Sequence, residues 1–234
     1  MSEQLNMEQL FGDRIVSPGE SHLACALLLD VSGSMFGPAI DSLNQGIKRF
    51  KQQVMSDPIA RQRVDIALVS FASDVQVISD FAPISKMPTP VLQAGGATEM
   101  AEGIQTAIDL VKQRTKMYSD LGTPCHKPWI FMITDGVATS TQQEMVEAAE
   151  RIHLEETKGS HGHLTFWALG LKDYDKGQLF SLTNRVMELQ DQDFSGIFDW
   201  LSESMSTISK SRVDERVEFD PLPNNANVVS PDWY

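Results

Sequence analysis

Short apolar runs alternate with longer stretches in which apolar residues recur every three or four positions. The run Leu23-Ala24-Cys25-Ala26-Leu27-Leu28-Leu29 predicts a strand over about 22–30, buried on both faces. Pro38 then opens a helix, a position where a missing N–H costs nothing. Ile40, Leu43, Ile47, Phe50 and Val54 mark its buried face, and Asp57-Pro58 ends it. Residues 64–71 read as a second strand, and 75–78 follow after a short turn as a third. So close a connection predicts a hairpin and an antiparallel edge strand. A proline-rich loop, Pro83 to Pro90, leads to Gly95-Gly96-Ala97-Thr98 and a helix that buries Met100, Ile104, Ala107, Ile108 and Val111. Strands at 129–134, 164–169 and 186–189 then alternate with helices at about 140–158, 175–183 and 194–211.

This order predicts an α/β fold: a doubly wound, mostly parallel six-stranded sheet with one antiparallel edge strand and helices on both faces. Right-handed crossovers favour a doubly wound sheet, and if its strand order is 3-2-1-4-5-6 the first and fourth strands are neighbours at the point where the order reverses. A single domain over 21–212 is expected, with a polar arm over 1–20 and a turn-rich tail over 213–234. Within that tail Val228 and Val229 are apolar enough to dock on the domain surface.

Composition narrows the function classes. Hydrophobic residues make up 41 %, enough for a packed core. Nineteen basic against 32 acidic residues give a net charge of −13, which argues against nucleic acid or an anionic membrane as partner. No apolar run approaches the roughly 18 residues of a membrane span. Met1-Ser2-Glu3-Gln4-Leu5-Asn6 has no basic region or apolar core of a signal peptide, so a cytoplasmic location is expected. Cys25, within the first strand, and Cys125, in a loop, read as two reduced thiols.

The candidate chemistry begins where the first strand ends. Asp30-Val31-Ser32-Gly33-Ser34 delivers one carboxylate and two hydroxyls onto one loop. These are hard oxygen ligands of the kind Mg²⁺ prefers, and three of them are too few for an octahedron. Ligands of open α/β sheets bind beyond the carboxyl ends of the strands, where the strand order reverses. Asp30 ends the first strand and Asp135 follows the fourth, so both reach that rim. Thr98, behind Gly95 and Gly96, opens the helix beside them. Singly, each residue has a plainer reading: Asp-x-Ser and Thr98 as helix caps, Asp135-Gly136 as a turn. Together, Asp30, Ser32, Ser34, Thr98 and Asp135 point to a site for Mg²⁺, or Mn²⁺, and the absence of His and Cys disfavours zinc. His161-Gly162-His163, at the opposite end of the sheet, reads as a surface turn.

Asp-x-Ser-x-Ser after a first strand, a threonine after a glycine-rich loop, and Thr134-Asp135-Gly136 after a fourth strand resemble the metal-ion-dependent adhesion site of von Willebrand factor A domains. The likeness covers about residues 22–211. Leu28 to Met35, Lys127 to Gly136 and Trp200-Leu201-Ser202 look like the bacterial cytoplasmic TerY/YegL group, linked to tellurium-resistance gene clusters. The resemblance implies a Rossmann-like sheet and a Mg²⁺ ion contacted by Ser32, Ser34 and Thr98, with Asp30 and Asp135 binding directly or through water. It also implies an open coordination position that takes an acidic side chain from a partner protein. Glu99, directly after the threonine, adds charge near the ion or repels such a partner. Met35 and Phe36 are expected on an exposed apolar rim facing the partner, although Phe36 packed under the loop is an equal reading.

Two functions compete. One is a binding module bridged by Mg²⁺ to an acidic partner in a stress or tellurium-resistance system. The other is a Mg²⁺-dependent phosphatase or phosphotransferase with Asp30 as nucleophile. Such enzymes usually carry a second aspartate two positions on, and here Ser32 stands there. No phosphate-binding Gly-x-x-x-x-Gly-Lys loop is present. The binding module is the better fit.

Overall fold

The computed structural model describes residues 17, 19–159, 162–171, 174–213 and 215–229. Most of the expected arm over 1–20 lies outside these residues, as does His161. Strand β1 (Leu23–Asp30) is followed by a 3-10 turn (Gly33–Met35), α1 (Pro38–Ser56) and a single-turn α2 (Ala60–Arg63). Then come β2 (Val64–Phe71), β3 (Val75–Pro83), a second 3-10 turn (Ile84–Lys86) and α3 (Met100–Leu121). The second half alternates β4 (Trp129–Thr134), α4 (Gln142–Thr157), β5 (Thr165–Leu171), α5 (Lys176–Leu182), β6 (Val186–Leu189), α6 (Ser195–Lys210) and β7 (Ala226–Val228).

The strands form one sheet in the order β3-β2-β1-β4-β5-β6-β7. The 3-2-1-4-5-6 order is present. The sheet has seven strands rather than six, and two antiparallel edges rather than one: β3 against β2 and β7 against β6. The seventh strand comes from the tail, where Ala226 pairs with Leu189 and Val228 with Met187. So part of the expected tail belongs to the sheet. β3 also runs to Pro83, beyond the expected 75–78, because its outer residues are half exposed and show no apolar run.

Successive β1 side chains point to opposite faces, and each face has its own core. Leu23, Cys25, Leu27 and Leu29 pack with α1 and α6 through Leu43, Phe50, Phe198 and Met205. Ala24, Ala26 and Leu28 pack on the other face with α3 and α4 through Ile104, Ile108 and Ile152. Double-sided burial accounts for the unbroken apolar strands. Alignment of β1 beside β4, with Leu29 opposite Ile133, brings the ends of both strands to the same rim.

A buried polar cluster closes the opposite end of β1 and β2. His22 Nδ1 lies 2.9 Å from Asp65 Oδ2, and Arg114 Nη2 is 2.9 Å from the same oxygen. Tyr118 donates its hydroxyl to that oxygen too. All four residues are buried, so Arg114 and Asp65 neutralise each other away from water. Among the described residues, no helix is long and apolar enough to cross a membrane.

Candidate metal centre

The site sits at the carboxyl ends of β1 and β4. Asp30 is fully buried, and both of its carboxylate oxygens are held. Ser32 donates its backbone N–H to Oδ1 at 2.8 Å, and Thr134 donates its hydroxyl to Oδ2 at 2.6 Å. Ser32 Oγ lies 3.0 Å from Ser34 Oγ, and Ser34 donates to Asp135 Oδ1 at 2.6 Å. Asp30, Ser32 and Thr98 form a buried floor, whereas Ser34 is exposed and Asp135 half-buried.

Thr98 reaches this floor through a loop tied on three sides. Gly33 donates to Gly96 O at 3.0 Å and Gly95 to Val31 O at 2.8 Å, which binds the loop to the Asp30 segment. Ala97 N–H donates to Ser73 Oγ at 2.9 Å, binding it to the β2–β3 turn. Thr98 N–H donates to Thr139 Oγ1, and Thr139 N–H returns a bond to Thr98 O, both at 2.9 Å. Gly96 makes the approach possible. Its φ is +84°, and a Cβ there would stand 2.5 Å from Ser73 Oγ.

Gly136 locates the point on which the oxygens converge. A Cβ added at Gly136 would lie 3.4 Å from Ser34 Oγ, 3.6 Å from Asp30 Oδ2 and 3.6 Å from Thr98 Oγ1. Three oxygens from two distant segments therefore surround one small volume beside a residue, from a third segment, that has no side chain. The plainer readings fail for two of them. Ser32 makes no side-chain capping bond, and the cap position of α3 falls on Glu99 rather than Thr98 and has no side-chain capping bond either. Asp30 does close a local turn through Ser32 N–H, so that part of the plain reading stands beside the other.

Electrostatics favour a cation here. Burial raises the pKa of Asp30, with Ser32 and Thr134 opposing the rise and Asp135 adding to it. Burial likewise raises that of Asp135, against the bond from Ser34. The groups acting on these carboxylates are hydroxyls, backbone N–H groups and another carboxylate, with no lysine or arginine among them. Among the described residues no group of three or more His, Cys, Asp or Glu could hold a metal, and the candidate set here is two carboxylates and three hydroxyls. Such a set fits a hard divalent cation.

One stretch of the chain matches a family model. Residues 25–137, a little under half of the chain and including all five oxygen donors, match the model of the von Willebrand factor type A domain. Solved structures extend the likeness across the sheet. The vWF domain of the type V pilus tip protein Mfa5 from Porphyromonas gingivalis aligns with TM-score 0.58 at 14 % identity, over 85 % of this chain and 99 % of that one. The domain has the von Willebrand factor A (vWA) fold. The pilus adhesin SpaC from Lactobacillus rhamnosus GG aligns with TM-score 0.65 at 12 % identity, over 83 % of this chain and 32 % of that one. Proximal thread matrix protein 1 of the mussel byssus, with a zinc-occupied MIDAS motif, aligns with TM-score 0.53 at 18 % identity, over 82 % and 46 %. The chain thus spans about half of the mussel protein, a third of SpaC and nearly all of the Mfa5 domain. Curated proteins show no match.

Of the expected rim, Phe36 is 79 % exposed. Met35 is not: it is fully buried in the core beside Ala39 and Leu43. The 3-10 turn over Gly33–Met35 rotates it inward, directly beneath the loop that carries the two serines. Glu99 is half-buried and turned sideways, where its carboxylate accepts from Thr139 Oγ1 at 3.1 Å and Ser140 Oγ at 3.3 Å. Sequence reasoning missed Thr134 as the hydroxyl that orients Asp30. It is a polar residue ending an apolar strand, one step beyond the Leu29–Ile133 pair and so beside Asp30 across β1 and β4. Val137, 58 % exposed and two residues past Asp135, was also missed as a rim residue.

Proposed function

We propose that this vWA domain is a metal-bridged protein-interaction module. Asp30, Ser32, Ser34, Thr98 and Asp135 would hold Mg²⁺, or Mn²⁺, and an acidic side chain of a partner protein would complete its coordination. The observation that carries the reading is the convergence of Ser34, Asp30 and Thr98 oxygens around the Gly136 position. The bound ion would supply positive charge on a chain of net −13, so that an acidic group can approach. Exposed Ser34 is the side of entry, flanked by the apolar Phe36 and Val137. The zinc-occupied motif of the mussel protein supports divalent-metal use on this fold. All-oxygen donors favour Mg²⁺ over zinc here.

An enzymatic role for Asp30 is less well supported. Aspartyl-phosphate chemistry usually takes a second aspartate two positions on as its acid/base, and Ser32 stands there. The likeness of the flanking segments to the TerY/YegL group supports a bacterial, cytoplasmic stress or tellurium-resistance setting. Titration calorimetry with Mg²⁺, Mn²⁺ and Zn²⁺ tests the first link. Saturable Mg²⁺ binding that vanishes in Asp135→Ala is expected, and its absence from the wild-type domain would refute the site. Pull-downs with Mg²⁺ and with chelator test the second link: a partner retained equally in both refutes the bridge.

A further inference from the structure

A cavity of about 620 Å³ lies at the opposite end of the sheet from the metal centre. Its floor is made by Trp129 and Thr165, the first residues of β4 and β5, together with Trp167. Trp129 and Trp167 pack with ring centroids 4.9 Å apart. The end of α6 contributes Ile208 to one wall. The outer wall is a strap over 215–219, whose Val217 and Phe219 face inward. Aromatic and hydrogen-bond contacts fix this strap. Phe219 sets its ring edge against Trp129 at 5.4 Å, and Trp200 Nε1–H donates to Asp220 O at 2.8 Å.

Positive charge stands over this apolar floor. Lys127 and Arg185 line the cavity from the domain and Arg216 from the strap. Arg185 is committed, since it donates to Glu156 Oε1 at 2.7 Å. The strap's carboxylates are Glu215 and Glu218. Glu215 closes its own turn by accepting from Arg212 N–H at 2.8 Å, and Glu218 is exposed. Lys127 is different: among the described residues its half-buried ammonium has no hydrogen bond or ion pair. Burial and the neighbouring Arg185 lower its pKa, as expected for a cation short of a counter-charge, with Glu156 partly opposing.

We infer that this basal cavity binds a small amphipathic organic acid, its apolar body against Trp129, Ile208, Val217 and Phe219 and its acidic group at Lys127. The volume suits a ligand of drug-like size, and an apolar lining with one convergent charge fits that class. On a chain this acidic, an anion gains little from long-range attraction, so recognition must come from the local pairing and from the apolar contact.

Fluorescence titration with 1-anilinonaphthalene-8-sulfonate tests this, with neutral N-phenyl-1-naphthylamine as the uncharged control. The sulfonate should bind one site saturably, with a dissociation constant in the micromolar range. Lys127→Gln should weaken it about tenfold, the effect of losing roughly 1.4 kcal/mol. Lys127→Arg should restore most of the affinity, and the neutral probe should bind all three proteins alike. Chelator should change none of these values, which separates this site from the metal centre. Equal sulfonate affinity in the wild type and Lys127→Gln, parallel loss of the neutral probe, or no saturable binding up to about 1 mM would each overturn the inference.

Discussion

The Thr134 hydroxyl donates to Asp30 Oδ2 at 2.6 Å, across 104 residues of sequence. Neither residue is exposed, so this bond fixes the carboxylate from below while its other oxygen is held by Ser32 N–H. Groups that orient a ligand in this way typically change metal affinity by 10- to 100-fold. Thr134→Val keeps the shape and removes the donor. It should weaken Mg²⁺ binding by about tenfold or more in calorimetry, with far-ultraviolet dichroism unchanged. Unaltered affinity would show that Thr134 only fills space.

Asp30 should set function against stability. Its carboxyl has a pKa raised by burial, so its ionised form costs the metal-free fold free energy. Between the ordinary aspartate value of 3.8 and the raised value in the fold, the native state holds the extra proton. Metal-free stability therefore falls as pH rises through that window, and the deficit persists above it. Asp30→Asn removes the charge. Without metal at pH 7 it should melt a few degrees higher than the wild type, and the difference should shrink below about pH 3.5. With saturating Mg²⁺ the order should reverse, because only the wild type binds the ion. A metal-free Asp30→Asn variant that melts lower at pH 7 contradicts the account.

Gly96 carries the approach of the Thr98 loop. Alanine there meets both a left-handed φ of +84° and the Ser73 hydroxyl. The cost should be about 1–3 kcal/mol in urea unfolding, together with weaker Mg²⁺ binding as Thr98 is displaced. Gly95→Ala is the control: its Cβ meets nothing within 4 Å and its φ is not positive, so both readouts should stay near wild type.

The buried cluster around Asp65 should behave in the opposite way. Asp65→Ala strands Arg114 without its counter-charge and removes the acceptor for His22 and Tyr118. Loss of one member of such a buried pair costs about 3–5 kcal/mol. Denaturation should show that loss, while the Mg²⁺ affinity of the remaining folded protein should not change. A shift in affinity would mean that the two ends of the sheet are coupled.

Much of this architecture was legible because of double-sided burial. β1, β2 and β4 are mostly apolar and buried throughout, so their bounds could be read closely, and handed crossovers pointed to a doubly wound sheet. In the order 3-2-1-4-5-6, such a sheet puts Asp30 and Asp135 on one rim. What escaped is where tertiary context decides. Ala226-Asn227-Val228 is too short and polar to announce a strand, and it becomes one only because β6 offers an unpaired edge. Met35 was misplaced because proximity to the ion was taken as exposure, whereas one 3-10 turn sends adjacent side chains in opposite directions. Thr134 was hidden inside a strand whose other residues are core.

Gly136 gives the site an unusual vulnerability. Elsewhere a metal centre is disabled by taking a donor away, which also alters charge, hydrogen bonding and stability at once. Here the nearest heavy atoms around an added Cβ are the donor oxygens themselves, at ordinary contact distance, and the backbone needs no positive φ. Gly136→Ala should leave all five ligands, the net charge and the fold in place, yet occupy the volume they enclose. Calorimetry should then register no Mg²⁺ uptake by a protein that melts like the wild type. A single methyl group would turn the domain into its own ion-blind twin, and any partner that still held on would be shown to grip something other than the metal.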